Sequence, residues 1–277
     1  MPGATTFDHV ALALADRSLF WEVFGRGLGG RWAAGHDDDG FSFAQLRYAD
    51  GMGVEALAAV EPSDERHFLP RFLAASGPGP HHLTFKVADV EAAAARATAA
   101  GYKPMGLSLD RPDWKEAFLH PRQAGGILVQ LAWSPAPLAD PVPAWLPDLG
   151  IGDPAELVQV ALAVADLDGA LALSKGLLDG TTVDAGAGGG AGFVDLAWPG
   201  AGPSGARGRL RLLAGRPLEE WVGGRAGRLH SLCFRLAHPG GVPGAVDRDG
   251  WWEVPAVPEL GVRLVLVEPG APVPVVL

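Results

Sequence analysis

Two histidines and two oxygen-bearing side chains recur at matched positions in the first half of this 277-residue chain. His9 heads the octapeptide HVALALAD, and His82 heads HLTFKVAD. Glu55 follows His9 by 46 residues, inside GVEALAA, and Gln130 follows His82 by 48, inside GILVQLAW. Each polar residue interrupts an apolar run, and burying a carboxylate without a partner is costly, so its position demands a reason. Two imidazoles, a carboxylate and an amide oxygen form a donor set for one divalent ion: zinc, nickel, cobalt, manganese or iron. Four such ligands on an octahedral ion leave two positions for neighbouring oxygens of a small-molecule substrate. That arrangement suits Lewis-acid assistance of proton transfer at a carbon acid, with Glu55 as both ligand and base.

The elements that must position these groups follow a repeat. The octapeptide frame occurs four times, at His9, His82, Gln159 (QVALAVAD) and Ser231 (SLCFRLAH), with spacings of 73, 77 and 72 residues. A near-fixed period marks one structural unit repeated. In the first unit the alternating strand 7–15 is followed by a helix over 17–24, then strands over 30–34, 41–48 and 53–59. In the second unit a strand from His82 is followed by a helix over 89–100 and strands over 103–109, 115–120 and 126–133. Both read β-α-β-β-β. The predicted fold is therefore α+β, with four tandem βαβββ modules in two domains, residues 1–133 and 155–277. A Pro-rich linker (134–154) joins them. The third unit carries a helix over 168–178 and a glycine-rich segment, AGAGGGAGF (185–193), which reads as a flexible loop. The fourth has a Pro/Gly insert (239–244) where its helix should be, and ends on a strand over 263–268.

Bulk properties narrow the function classes. A net charge of −10 argues against nonspecific nucleic-acid binding. No apolar run is long enough for a membrane span, and the first residues lack a secretory pattern, so a cytoplasmic protein is expected, monomer or homodimer. The single Cys233 excludes an intrachain disulfide framework and reads as a buried thiol. His120 reads as structural or cavity-lining, and Trp114 and Lys115 as surface residues or a pocket mouth.

The segments FDHVALAL, FLPRFLAASGPGPHHLTFKVADV and EAFLHPRQAGGILVQL, spread over residues 7–131, resemble the vicinal oxygen chelate superfamily. It includes glyoxalase I, methylmalonyl-CoA epimerase, extradiol dioxygenases and bleomycin- or fosfomycin-resistance proteins. The local likeness is to the epimerase and glyoxalase-like branch. The resemblance implies paired βαβββ modules with mixed sheets curled around a cavity, and metal ligands at His9, Glu55, His82 and Gln130. Glu61 competes with Glu55 but adjoins Pro62. His82 is preferred to His81 because it heads its octapeptide as His9 does. The family's last ligand is usually Glu, which can double as a base. Gln130 departs from that pattern, and the carboxylate stands in the other module as Glu55. The implied activity is an epimerase, isomerase or glyoxalase-like lyase acting on a small oxygenated acid, thioester or α-oxo compound. Two alternatives remain open. One is an extradiol-type dioxygenase using His9, His82 and Glu55. The other is a non-catalytic small-molecule binder or resistance protein. In the second half the corresponding residues are Gln159, Arg211, Ser231 and Leu266. No metal site is expected there, though Arg211 offers a charge for an anionic ligand.

Overall fold

The computed structural model describes residues 5–38, 40–60, 66–137, 139–150, 152–188, 190–200 and 206–276. The first half forms β1 (Thr6–Leu14), β2 (Arg31–Asp38), β3 (Phe41–Arg47), β4 (Gly53–Ala59), β5 (Gly79–Lys86), β6 (Pro104–Ser108), β7 (Lys115–Leu119) and β8 (Leu128–Trp133). They make one mixed sheet in the order β2-β3-β4-β1-β5-β8-β7-β6. β1 runs parallel to β4 and antiparallel to β5, and β5 runs parallel to β8. The two modules therefore join through their first strands.

The second half repeats this order. β9 (Glu156–Val164), β10 (Thr181–Gly188), β11 (Ala191–Pro199), β12 (Ala206–Gly215), β13 (Gly227–Arg235), β14 (Val246–Asp247), β15 (Trp252–Val254) and β16 (Leu264–Val267) pair as β10-β11-β12-β9-β13-β16-β15-β14. The α+β reading with four βαβββ modules holds. The expected curl is weaker: each sheet stays open, with β2 and β6, or β10 and β14, left at its edges.

One apolar core joins the sheets. Phe7, Val10, Leu12 and Leu14 of β1 share it with Val160 and Leu162 of β9, Leu210 and Leu212 of β12, and Phe234 of β13. Phe7 stacks on Phe85 at 4.7 Å between ring centroids, and both rings meet Trp198 of the second half. The Pro-rich connection is not loose. Trp32 Nε1 donates to the Asp140 carbonyl at 3.0 Å, and Arg26 Nε donates to the Asp148 carbonyl at 2.8 Å.

Three local readings change. The first helix starts as α1 (Ser18–Phe20) and continues as a π-helical segment (Trp21–Gly27), closed by the Leu28 N–H to the Val23 carbonyl. The third unit does the same with α4 (Leu167–Leu171) and Ala172–Leu177. The described part of the glycine-rich segment, 185–188 and 190–193, belongs to the β10–β11 hairpin, with Gly186 opposite Phe193, and Gly189 lies outside the described residues. Ladder hydrogen bonds need no side chains, and Phe193 lies under the Arg211 guanidinium at 4.5 Å. The fourth unit keeps only a 3₁₀ turn (Pro239–Gly241) in the helix position, as its insert foretold. A helix the pattern did not reveal, α2 (Phe68–Ser76), packs Leu69, Phe72 and Leu73 against Ala11, Ala13 and Leu57. Its Pro70 falls in the first turn, where the missing N–H costs nothing. The second unit's helix, α3 (Val90–Ala99), is capped by Asp89, whose side chain accepts the Ala92 N–H. Cys233 is buried, and burial pushes its thiol up to about 12. No helix among the described residues is long and apolar enough to cross a membrane.

Asp50 lies where the halves meet, its carboxylate accepting from the Met52 N–H at 3.3 Å and the Leu157 N–H at 3.4 Å. Burial raises its pKa from 3.8 to about 6, against the pull of these donors. Its contribution to stability is therefore full below pH 3.8 and is lost as pH rises through about 6. Asp50→Asn keeps an accepting oxygen without the charge. Urea unfolding at a series of pH values should show the variant gaining on the parent between these limits, by on the order of 3 kcal/mol, and level above them. A difference that does not change with pH would show that Asp50 ionises freely in the fold.

Candidate metal centre

β1 must bury one face in the shared core and still hold a histidine on the other. A β-bulge achieves this. In the β1–β5 ladder Phe7 pairs with Phe85 but His9 pairs with Thr84, so Asp8 is the extra residue. The bulge shifts the alternation by one position. Phe7 faces the core before it, Val10, Leu12 and Leu14 face the core after it, and His9, Ala11 and Ala13 are left to the opposite face. β5 has the matching device: Ala11 pairs with His82 but Leu12 pairs with Pro80, making His81 the extra residue. The residue before each strand-heading histidine is thus the bulged one.

Register then sets the site. Ala11 lies between Glu55 on β4 and His82 on β5, while Thr84 lies between His9 on β1 and Gln130 on β8. His9, Glu55 and His82 are all buried, and one ligand-type atom from each falls within 4.8 Å of the others. His9 Nε2 is 3.7 Å from Glu55 Oε2, and His82 Nε2 is 3.8 Å from Glu55 Oε1. Burial raises the Glu55 carboxyl, with His9 and Arg47 pulling it down. Burial drives His82 well below the ordinary imidazole value, and His81 and His9 add to the shift. At neutral pH His82 is therefore uncharged and free to offer a lone pair.

The bulged residues orient the rings. Asp8 Oδ2 accepts from His9 Nδ1 at 2.8 Å and from Arg47 Nη2 at 2.8 Å. Burial works to raise the Asp8 carboxyl, but Arg47 and His9 outweigh it and hold it well below the usual range. A proton kept on Nδ1 by Asp8 leaves Nε2 as the lone-pair atom. His81 Nδ1 lies 2.8 Å from His82 Nδ1. Burial pushes His81 down to about 4, so this contact is between neutral rings. His82 Nε2 is buried with no hydrogen-bond partner. An orphaned nitrogen of this kind, facing a carboxylate and a second imidazole, fits a divalent cation. His9, His82 and Glu55 would hold it.

Gln130 comes to the same face, but its oxygen is engaged. Thr84 Oγ1 donates to Gln130 Oε1 at 2.6 Å and sits 2.9 Å from His9 Nε2. A hydroxyl has one hydrogen, so Thr84 can satisfy only one of these acceptors at a time. The Gln130 amide donates to Glu116 Oε2 at 2.7 Å, and that oxygen also takes the Trp114 Nε1–H at 2.8 Å. Trp114 is thus tied to the site network, while Lys115 lies over Trp133. Gln45 Nε2 donates to Glu55 Oε2 at 3.4 Å. Glu61, the competitor of Glu55, lies outside the described residues. Sequence reasoning missed Asp8, Gln45, His81, Thr84 and Glu116 as parts of this network. The alternation of β5, which puts Thr84 beside His82, was an available signal.

Residues 8–118 match the family model described as the Glyoxalase/Bleomycin resistance protein/Dioxygenase superfamily. This segment is a domain of that superfamily. None of the curated proteins matches the chain. Among solved structures, a triple mutant of 4-hydroxymandelate synthase from Streptomyces coelicolor shares 16% identity over 97% of this chain and 93% of its own, with a TM-score of 0.65. That likeness is one of fold and takes in both halves. Methylmalonyl-CoA epimerase from Mycobacterium tuberculosis is 28% identical over 48% of this chain and 89% of its own, with a TM-score of 0.42.

Beside the superfamily domain, the second half keeps the frame with a different set of groups. Val158 and His230 are the bulged residues, preceding Gln159 and Ser231. Arg211 stands where Glu55 stands in the first half and makes a two-pronged pair with Asp195, at 2.7 and 2.8 Å. Asp195 also accepts from Gln159 at 3.1 Å. The suggestion that Arg211 offers its charge to an anion is therefore corrected: the fork is already used. Leu266 lies in the core.

Asp8→Asn removes the charge behind His9 but keeps an acceptor. Competition with a chromophoric chelator should show divalent-ion affinity reduced about 10–100-fold. Unchanged affinity would mean that Asp8 serves only Arg47.

Proposed function

We propose that the chain is a metal-dependent enzyme catalysing proton transfer at a carbon acid. The substrate would be a small oxygenated acid, thioester or α-oxo compound, and the reaction an epimerisation, isomerisation or glyoxalase-like lyase step. The observation carrying this reading is the buried His82 Nε2 with no partner, facing Glu55 and grouped with His9. A bound divalent ion would supply Lewis acidity to a substrate oxygen. The remaining tasks fall to the chain. His82 stays neutral, and His9 and His82 point their Nε2 atoms inward, held from behind by Asp8 and His81. Glu55, raised by burial, is the group placed to take a proton from carbon and return it. Glu116 fixes the Gln130 amide so that its oxygen turns toward Thr84 and the site. Helix α2 covers the adjoining apolar strip and limits water there. In this reading residues 1–133 are the catalytic unit, 134–154 the connection, and 155–277 a metal-free partner domain.

Metal content of the purified chain after reloading with mixed divalent ions is the direct test, followed by deuterium uptake from heavy water into a panel of candidate carbon acids. His82→Ala should lose most bound metal while its far-ultraviolet dichroism is unchanged; normal occupancy would remove His82 from the site. Gln130→Glu should retain metal and alter exchange rates if Gln130 contributes its oxygen to the site.

One observation favours a second reading. With the Gln130 oxygen taken by Thr84, the open donors reduce to two histidines and one carboxylate. That set suits ferrous iron in oxygen chemistry. Iron as the retained metal, with substrate-dependent oxygen uptake and no deuterium exchange, would establish the dioxygenase in place of the proton-transfer enzyme.

A further inference from the structure

Between the two halves lies a cleft of roughly 550 Å³, a size suited to a small molecule. Its charged and titratable lining is one-sided. His81, His120, Arg122, Arg225 and Arg228 face it, and no carboxylate does among the described residues. This occurs in a chain with 32 acidic residues against 22 basic ones and a net charge of −10. Arg122 and Arg225 make no ion pair with an acid among the described residues. Arg228 lies over the Trp221 ring at 4.6 Å, a contact that leaves its charge unneutralised. Desolvation lowers the Arg228 pKa and the neighbouring Arg225 lowers it further, so two like charges are held together. Such an arrangement concentrates positive potential in one concavity and attracts counter-ions.

The walls come from both halves, and their closeness depends on glycine. A Cβ on Gly126 would overlap the Gly227 backbone, and one on Gly261 would overlap Pro78. The cleft also touches the candidate metal centre through one residue. His81 lines it and contacts His82.

We propose that this cleft binds a phosphate-bearing ligand, with Arg122 and Arg225 as its principal ion partners and Arg228 as a third. Guanidinium forks match phosphate oxygens in geometry and keep their charge at any physiological pH. Two sources share this chemistry: a phosphate carried on the substrate of the neighbouring site, and a separate phosphate-bearing effector. Only the first depends on the metal-site reading.

The test is calorimetry of the full chain with inorganic pyrophosphate. Binding should be saturable, weaken with added salt, and fall about tenfold or more in the double variant R122Q/R225Q. Both positions are exposed, so the fold should survive; unchanged thermal unfolding of the variant checks this. His82→Ala should bind pyrophosphate as the parent does, which separates the cleft from the metal centre. Absence of binding by the parent chain, or equal binding by R122Q/R225Q, would overturn the proposal, whatever the metal content. Phosphoglycolate, carrying a carboxylate and a phosphate, assigns the source. Tighter binding to zinc-loaded than to metal-free protein indicates a substrate phosphate, and equal binding a separate effector.

Discussion

Everything at the candidate centre depends on a single backbone irregularity used twice. A strand that buries alternate residues in a core cannot change faces without an extra residue. In β1 and β5 that residue is Asp8 and His81. The shift frees the next position to carry an imidazole away from the core, and the bulged residue's own side chain lands on Nδ1 of that imidazole. One backbone feature thus selects both the face and the ring orientation. A one-residue slip would exchange His9 for Val10 on the site face and place an imidazole among Phe85 and Trp198, so the register is strongly determined.

The same irregularity persists in the second half, which makes the contrast between the halves informative. There Arg211 and Asp195 neutralise each other within the sheet face, and Gln159 completes the network. Among the described residues, both charges at that point are paired. In the first half the acid is surrounded by imidazoles, an amide, the more distant Arg47 and the like-charged Asp8 and Glu116, and His82 Nε2 has no partner among the described residues. Leaving a buried polar group unsatisfied costs on the order of 1–3 kcal/mol. The two faces therefore differ as a self-contained ion pair differs from a preformed, unfilled donor set.

Much of this was legible in the amino-acid order. The four octapeptides reveal the repeat, and the matched offsets single out His9, Glu55 and His82, which the fold brings together. His82 falls in the cluster with His9 and Glu55, and His81 sits behind it as the bulged neighbour. The bulges leave a trace that periodicity analysis passes over: apolar residues at 7, 10, 12 and 14 change parity between 7 and 10. What sequence order cannot show is how a side chain divides its hydrogen bonds. Gln130 has the expected place, but its oxygen is shared with Thr84 and its amide with Glu116, groups 46 and 14 residues away. Helix α2 falls outside the repeating βαβββ frame, so the repeat gives no sign of it. The β10–β11 hairpin was missed because glycine-rich composition suggests flexibility while the backbone ladder is indifferent to it.

The stacked rings of Phe7 and Phe85, closed off by Trp198, bear on how the chain is made. A ribosome delivers β1 and β5 long before residue 198 is polymerised. During that interval the first sheet has no second sheet to cover its apolar face. The nascent chain must either hold that face against the tunnel exit and the chaperones waiting there, or fold late and all at once. That apolar face is thus uncovered for as long as residues 134–198 take to be made, an exposure that belongs to the order of synthesis.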